Sequence, residues 1–258
     1  MTSPSHTCSE SKATCPGRIA RVARSAALLA LLPALPALAG TVTGSLRLID
    51  SHDAGAHRTS DYSGAVIWLE RSDGTALPIE PKTAQMAQKK KRFVPSVLAV
   101  PVGSVVSFPN LDPIFHNAFS NFAGQIFDVG LYSPGTDQKV PFRRPGVVRV
   151  FCNIHPTMSA VIVVLNTNCM AVSKADGSFR IDGVKEGHYR LHVFHERATE
   201  QTLNALERIL EVGDDPISLP RIEISEGGYI QLPHKNKYRK DYPALIEDRP
   251  MYPAQPKP

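Results

Sequence analysis

No apolar run in this 258-residue chain reaches the ~20 residues that cross a bilayer as a helix. The nearest approach, Ser25 to Leu38, is shorter and carries Pro33 and Pro36. It follows three spaced arginines, Arg18, Arg21 and Arg24, and ends at Ala37-Leu38-Ala39 before Gly40. A basic stretch, a short apolar stretch and small residues at a cleavage point make an export signal. Residues 1–39 are therefore read as a signal peptide cleaved after Ala39, and the mature chain as periplasmic or secreted, with no membrane span. No cysteine follows the run, which argues against lipid attachment there, and the arginines are not the pair of a twin-arginine signal.

Charge of one sign is also lacking. The leader holds Lys12, Arg18, Arg21 and Arg24, four of the 29 basic residues, and Glu10, one of the 24 acidic ones, so its removal lowers the net charge from +5 to +2. A balance so close to neutral leaves no footprint for nucleic acid. Cysteine is scarcer still. Cys8 and Cys15 leave with the leader, and only Cys152 and Cys169 remain. The chain has no Gly-x-Ser-x-Gly turn, no paired catalytic carboxylates and no phosphate-binding loop, so it is read as a non-enzyme.

What is present is β-structure. Few aromatics, 22 prolines and many short β-branched runs predict strands with loops. "TVTGSLRLID" and "GAVIWLERSDG" alternate with period two, as do "FVPSVLAVPVGSVVSFPN", "KVPFRRPGVVRVF" and "SAVIVVL", the pattern of antiparallel strands and turns. Pro95 and Pro101 are placed at strand edges or breaks. The reading divides the mature chain at 40–165, best supported from residue 93, then 166–227 as a small β-sandwich and 228–258 as a Pro-rich arm or partly disordered tail. Asp176-Gly177 and Glu186-Gly187 separate short strands of the second unit, and Asp-Gly is a strong hairpin signal. Thr199 to Leu210 reads either as strand and turn or as a short amphipathic helix.

The stretch "VFCNIHPTM" places Cys152, His155 and Met158 on one loop between two strands, and His116 lies upstream in "FPNLDPIFHN". One thiolate, two imidazoles and one thioether form the ligand group of type 1 (blue) copper. Soft sulfur favours Cu(I), and imidazole holds both oxidation states. Thioether suits zinc poorly, and calcium and magnesium take oxygen. Two other readings stand beside this one. Cys152 and Met158 would be core fillers in one, and Cys152 would pair with Cys169 in the other. The second meets a geometric objection, because Ala160 to Leu165 reads as a strand that carries Cys169 away beyond bridging distance.

With these residues in view, Phe93 to Leu165 resembles a cupredoxin of the plastocyanin and amicyanin type. The match to periplasmic cupredoxin-like proteins labelled methylamine-utilisation proteins is carried by "FPNLDPIFHN", "FDVGLY" and "VFCNIHPTM". The resemblance implies a Greek-key β-sandwich with one mononuclear copper. His116 and His155 would be equatorial ligands, Cys152 the thiolate and Met158 the axial thioether. It also implies that Asn117 pins the ligand loop and donates to the thiolate. Pro156 restricts the residue before it to extended backbone. The stretch "ADGSFRIDGVKEGHYRLHVFHE" resembles the transthyretin-like or carboxypeptidase-regulatory-like sandwich.

The reading that follows is an all-β exported protein that carries single electrons between periplasmic redox partners. Its alternatives are a copper-binding or delivery protein, and a non-metal adhesion or carbohydrate-binding module. Phe115, Phe119, Phe122 and Phe127 are read as core rather than as an electron path. The run Lys89-Lys90-Lys91-Arg92 is read as a solvated strand edge, with a docking patch as the alternative. His188, His192 and His195 are read as no second metal site.

Overall fold

In a β-strand successive side chains point to opposite faces, and among the described residues the apolar alternation of the sequence is realised as eighteen strands and one short helix. The computed structural model describes residues 40–51, 61–121, 124–230 and 234–242. The expected signal peptide and positions 243–258 of the tail lie outside the described residues. Among the described residues no helix is long and apolar enough to cross a membrane.

Residues 83–165 build one sandwich. Its first sheet joins β3 (Thr83–Gln85), β7 (Val105–Ser107) and β10 (Lys139–Pro141) in the order β10-β7-β3. Facing it are β6 (Val97–Pro101), β8 (His116–Ser120), β9 (Phe127–Tyr132), β11 (Gly146–Phe151) and β12 (Ser159–Leu165), in the order β6-β12-β11-β8-β9. A short pair, β4 (Ala87–Gln88) with β5 (Phe93–Val94), flanks them. Val106, Phe108, Val140, Val148, Val150 and Ile162 fill the space between the two sheets.

The second sandwich corrects the expected boundary at 40–165. β1 (Gly40–Ile49) pairs antiparallel with β14 (Ser178–Val184) and parallel with β17 (Ile217–Ser218) and β18 (Ile222–Ser225). β2 (Val66–Arg71) lies between β13 (Met170–Val172) and β15 (Gly187–Phe194), with β16 (Arg208–Val212) outside β15. β1 and β2 therefore belong with the strands of 170–225, and the first sandwich is inserted between β2 and β13. Period-two alternation identifies a strand but not the strand it pairs with, and here the partners are more than a hundred residues apart.

The Asp-Gly signal is corrected in the same way. A tight turn does form, with the Gly177 N–H donating to Lys174 O at 2.9 Å and Gly177 at φ +79°. Yet β13 and β14 leave it for different sheets. Glycine is required there twice over, since a Cβ would also lie 2.1 Å from the Leu46 carbonyl oxygen. The ambiguous stretch 199–210 divides. Thr199 accepts from the Thr202 N–H to cap α1 (Glu200–Ala205), and β16 follows.

Two strands explain how the sandwiches join. On β12, Ala160, Ile162 and Val164 face the core of the first sandwich. Val161, Val163 and Leu165, on the other face, pack with Val66, Trp68, Met170 and Phe194. β2 repeats the device, with Ile67 and Leu69 in the core of the second sandwich and Val66 and Trp68 turned outward. The β4–β5 pair aside, the described residues form four sheets with three apolar layers between them, and near-continuous apolar runs are what a strand buried on both faces requires.

Candidate metal centre

β11 ends at Phe151, whose register partner on the neighbouring β8 is Phe119. Cys152 therefore leaves its strand beside the strand that begins with His116. The loop then folds back: the Cys152 N–H donates to Met158 O at 3.2 Å, and the Met158 N–H to His155 O at 3.0 Å. This brings His155 under Cys152. The thiol Sγ lies 3.9 Å from Nδ1 of His116 and 3.6 Å from Nδ1 of His155. The two imidazole rings are 4.8 Å apart between centroids and inclined by 57°.

Burial is close to complete. Cys152, His116 and Met158 have no exposed surface, and His155 is 7% exposed. Met158 lies in the same apolar core as Cys152. Burial, reinforced by His116 and then Lys91, pushes the His155 imidazole down to about 4. At neutral pH His155 is thus uncharged, the form in which a ring nitrogen can bind a metal. Among the described residues, His116, Cys152 and His155 are the group whose ligand atoms converge, all within 4.8 Å of one another.

The surroundings fix these side chains. With Nδ1 of His116 turned to the sulfur, Nε2 carries the proton and donates to Oδ2 of Asp112 at 2.9 Å. Asp112 also accepts the backbone N–H groups of Lys90, at 2.5 Å, and Lys91, at 2.8 Å. Both lysines adopt left-handed backbone, φ 54° and 55°, an unfavourable conformation for side chains with a Cβ. It aims two successive N–H groups at one carboxylate. Burial opposes ionisation of Asp112, but these N–H groups and the His116 ring outweigh it and hold the carboxyl below its usual range.

Asn117 Oδ1 accepts the Asn153 N–H at 3.3 Å, which ties β8 to the loop between β11 and β12. Its side-chain NH2 does not serve the sulfur. It donates to Asp128 Oδ1 at 2.7 Å and to Gly130 O at 2.9 Å.

The tail was expected to be an extended or partly disordered arm. Of that stretch, residues 234–242 are without strand or helix and lie against the loop between β11 and β12. His234 stacks on Phe151, with ring centroids 4.1 Å apart, and its Nε2 is 2.6 Å from Pro156 O. The Lys237 N–H donates to Asn153 Oδ1 at 3.0 Å, and its Nζ pairs with Asp128 at 2.8 Å. The Tyr242 hydroxyl donates to Cys152 O at 2.8 Å. Burial, and then the charge of Cys152, raises the Tyr242 hydroxyl above its ordinary range, which keeps it a donor.

The structure thus brings His116, Cys152 and His155 together, buries Met158 in the same core as Cys152 and ties Asn117 to Asn153 of their loop. Sequence reading missed Asp112, Asp128, His234, Lys237 and Tyr242. A carboxylate four residues before a candidate ligand was the available signal for Asp112. The arm gave none, because its contacts with Cys152, Asn153, Pro156 and Asp128 reach back between 78 and 109 residues. The lysine run is solvated as expected, but its backbone has the second role just described. Cys152 and Cys169 are both unpaired thiols, buried in different cores. Of the other histidines, His192 stacks on Trp68 and bonds Glu207, and His195 is buried beside Glu226.

No family model matches the chain, and no curated protein does. Solved structures similar to it include a purple cupredoxin from Nitrosopumilus maritimus, at 24% identity over 32% of this chain and 99% of that one, TM-score 0.29. Amicyanin from Paracoccus versutus is 15% identical over 38% of this chain and 97% of that one, TM-score 0.31. A Cu-containing nitrite reductase from Thermus scotoductus SA-01 is 28% identical over 37% of this chain, TM-score 0.31, and only 25% of that chain is spanned.

Proposed function

We propose that this protein carries single electrons between redox partners in the periplasm, through one type 1 copper held by His116, Cys152, His155 and, weakly, Met158. The observation that supports this most is the buried thiol with the Nδ1 atoms of two imidazoles at 3.6 and 3.9 Å. This donor set fits copper. The sulfur is soft, both rings offer the same kind of nitrogen, and a thioether is buried in the same core. When bound, copper supplies a couple between Cu(I) and Cu(II).

The chain's own residues keep that couple fast and the metal in place. Asp112 fixes the His116 tautomer and ring plane, and Asn117 and Lys237 hold the loop at Asn153. Ligands supported in this way move little when the charge at the site changes, and a small rearrangement is what electron transfer needs. Burial of Cys152 also answers how a lone thiol persists in an oxidising compartment.

The test is a visible spectrum of the mature protein loaded with Cu(II), followed by redox cycling beside a Cu(I) chelator. An intense sulfur-to-copper band, lost in Cys152→Ala and kept in Cys169→Ala, is expected, with copper retained over repeated cycles. A colourless Cu(II) protein would overturn the assignment. Release of copper within one cycle would favour delivery of the metal over transport of electrons.

A further inference from the structure

Between the two sandwiches and the arm lies a cleft of about 800 Å³, within the range of small-molecule sites. Its floor is apolar: Phe119, Phe151, Ala160 and Val161 come from β8, β11 and β12. Tyr229 and Ile230 form a side wall, and Ile230 is 76% exposed, apolar surface left open to water at the cleft. The polar lining is basic. Arg149 reaches it from β11, Arg197 from the segment after β15, and Lys235 and Arg239 from the arm, against one carboxylate, Glu196. Arg197 is already paired with the buried Glu226, Nε to Oε1 at 2.8 Å. Arg149, Lys235 and Arg239 enter no ion pair among the described residues.

We propose that this cleft binds a small organic anion, a carboxylate on a compact apolar body. Two segments far apart in the chain, β11 with Arg149 and the arm with Lys235 and Arg239, bring the same charge to the lining of one cleft that also carries apolar surface. Like charges gathered in a cleft with low-dielectric walls repel one another and concentrate a counter-ion there. An inorganic anion would satisfy the cations but not the floor, and a neutral apolar molecule the reverse. Phe151 is both the floor of the cleft and the residue before Cys152, so an occupant sits one side chain from the candidate metal loop. Binding itself needs no metal.

Titration calorimetry on the full-length mature protein, free of copper, tests this independently of the copper assignment. Benzoate is the probe, with benzyl alcohol, inorganic phosphate and a glutamate-rich peptide as comparisons. Saturable benzoate binding is expected, weakening with added salt and at least about tenfold tighter than benzyl alcohol, the factor expected of one charge-assisted contact. Arg149→Gln and Arg239→Gln should each weaken it about tenfold while leaving the circular dichroism unchanged. Equal binding of benzyl alcohol, or tighter binding of phosphate or of the peptide, would overturn the proposal, as would the absence of benzoate binding to folded protein. The comparison of benzoate with benzyl alcohol uses no variant and holds even if a substitution disturbs folding.

Discussion

His116 can offer only one nitrogen to the cluster, and Asp112 decides which. Its carboxylate accepts from Nε2, so Nδ1 is the nitrogen left for a metal. Removing such a supporting carboxylate typically lowers metal affinity 10- to 100-fold. Asp112→Asn is expected to lower copper affinity by about that factor, measured by competition with a chelator, while the sulfur-derived band keeps its position. An affinity unchanged in the variant would reduce Asp112 to a packing role. His195 gives a residue-level prediction of the opposite kind, about pH. Burial holds its imidazole at about 4, against an ordinary 6.5. The unfolded chain therefore binds the proton that the folded chain refuses. This contribution of His195 to stability is complete above pH 6.5 and is lost as pH drops toward 4, by ~3 kcal/mol across the window, on top of whatever His155 loses over the same range. Urea unfolding midpoints at a series of pH values check this, and in His195→Gln the contribution should vanish.

At the scale of elements, β12 does two jobs with one run of seven residues. Its even-numbered side chains complete the core behind the ligand loop, and its odd-numbered ones join the sandwiches. Leu165→Ala removes a buried side chain from the joining layer alone. Such a change costs ~2–5 kcal/mol, and denaturant unfolding should show a loss in that range with the copper band of the loaded protein unchanged. A shifted band would mean that the layer between the sandwiches also sets the ligand loop. The same pairing shows why 40–165 does not delimit a folding unit. Cutting at 165 leaves β1 without β14, β17 and β18, and β2 without β13 and β15.

At the scale of the whole molecule, residues 234–242 reach back to the loop between β11 and β12. Three backbone or side-chain groups of the loop, Cys152 O, Asn153 Oδ1 and Pro156 O, are engaged by Tyr242, Lys237 and His234. A chain ending at Pro233 should still fold, because among the described residues the three apolar layers contain none of 234–242. It should lose copper to a Cu(I) chelator faster than the full chain, and Tyr242→Phe should show a smaller effect, about 1 kcal/mol for one hydrogen bond. Equal rates of loss in the full and shortened chains would show that the arm covers the loop without holding it.

Local patterning determined much of this protein. Alternation marked the strands, the loop spacing of Cys152, His155 and Met158 put them between β11 and β12, and the run "SAVIVVL" already carried two apolar faces. Side-chain direction along a strand has period two whatever the strand pairs with, so these features are legible without a partner. Pairing is not. Which sandwich claims β1 and β2, which sheets receive the strands around Gly177, and where residues 234–242 come to rest depend on surfaces that exist only once distant segments have met. Asp112 stands between these cases. Its distance from His116 is local, but its role depends on two lysine N–H groups some twenty residues upstream, brought to it by the tertiary fold.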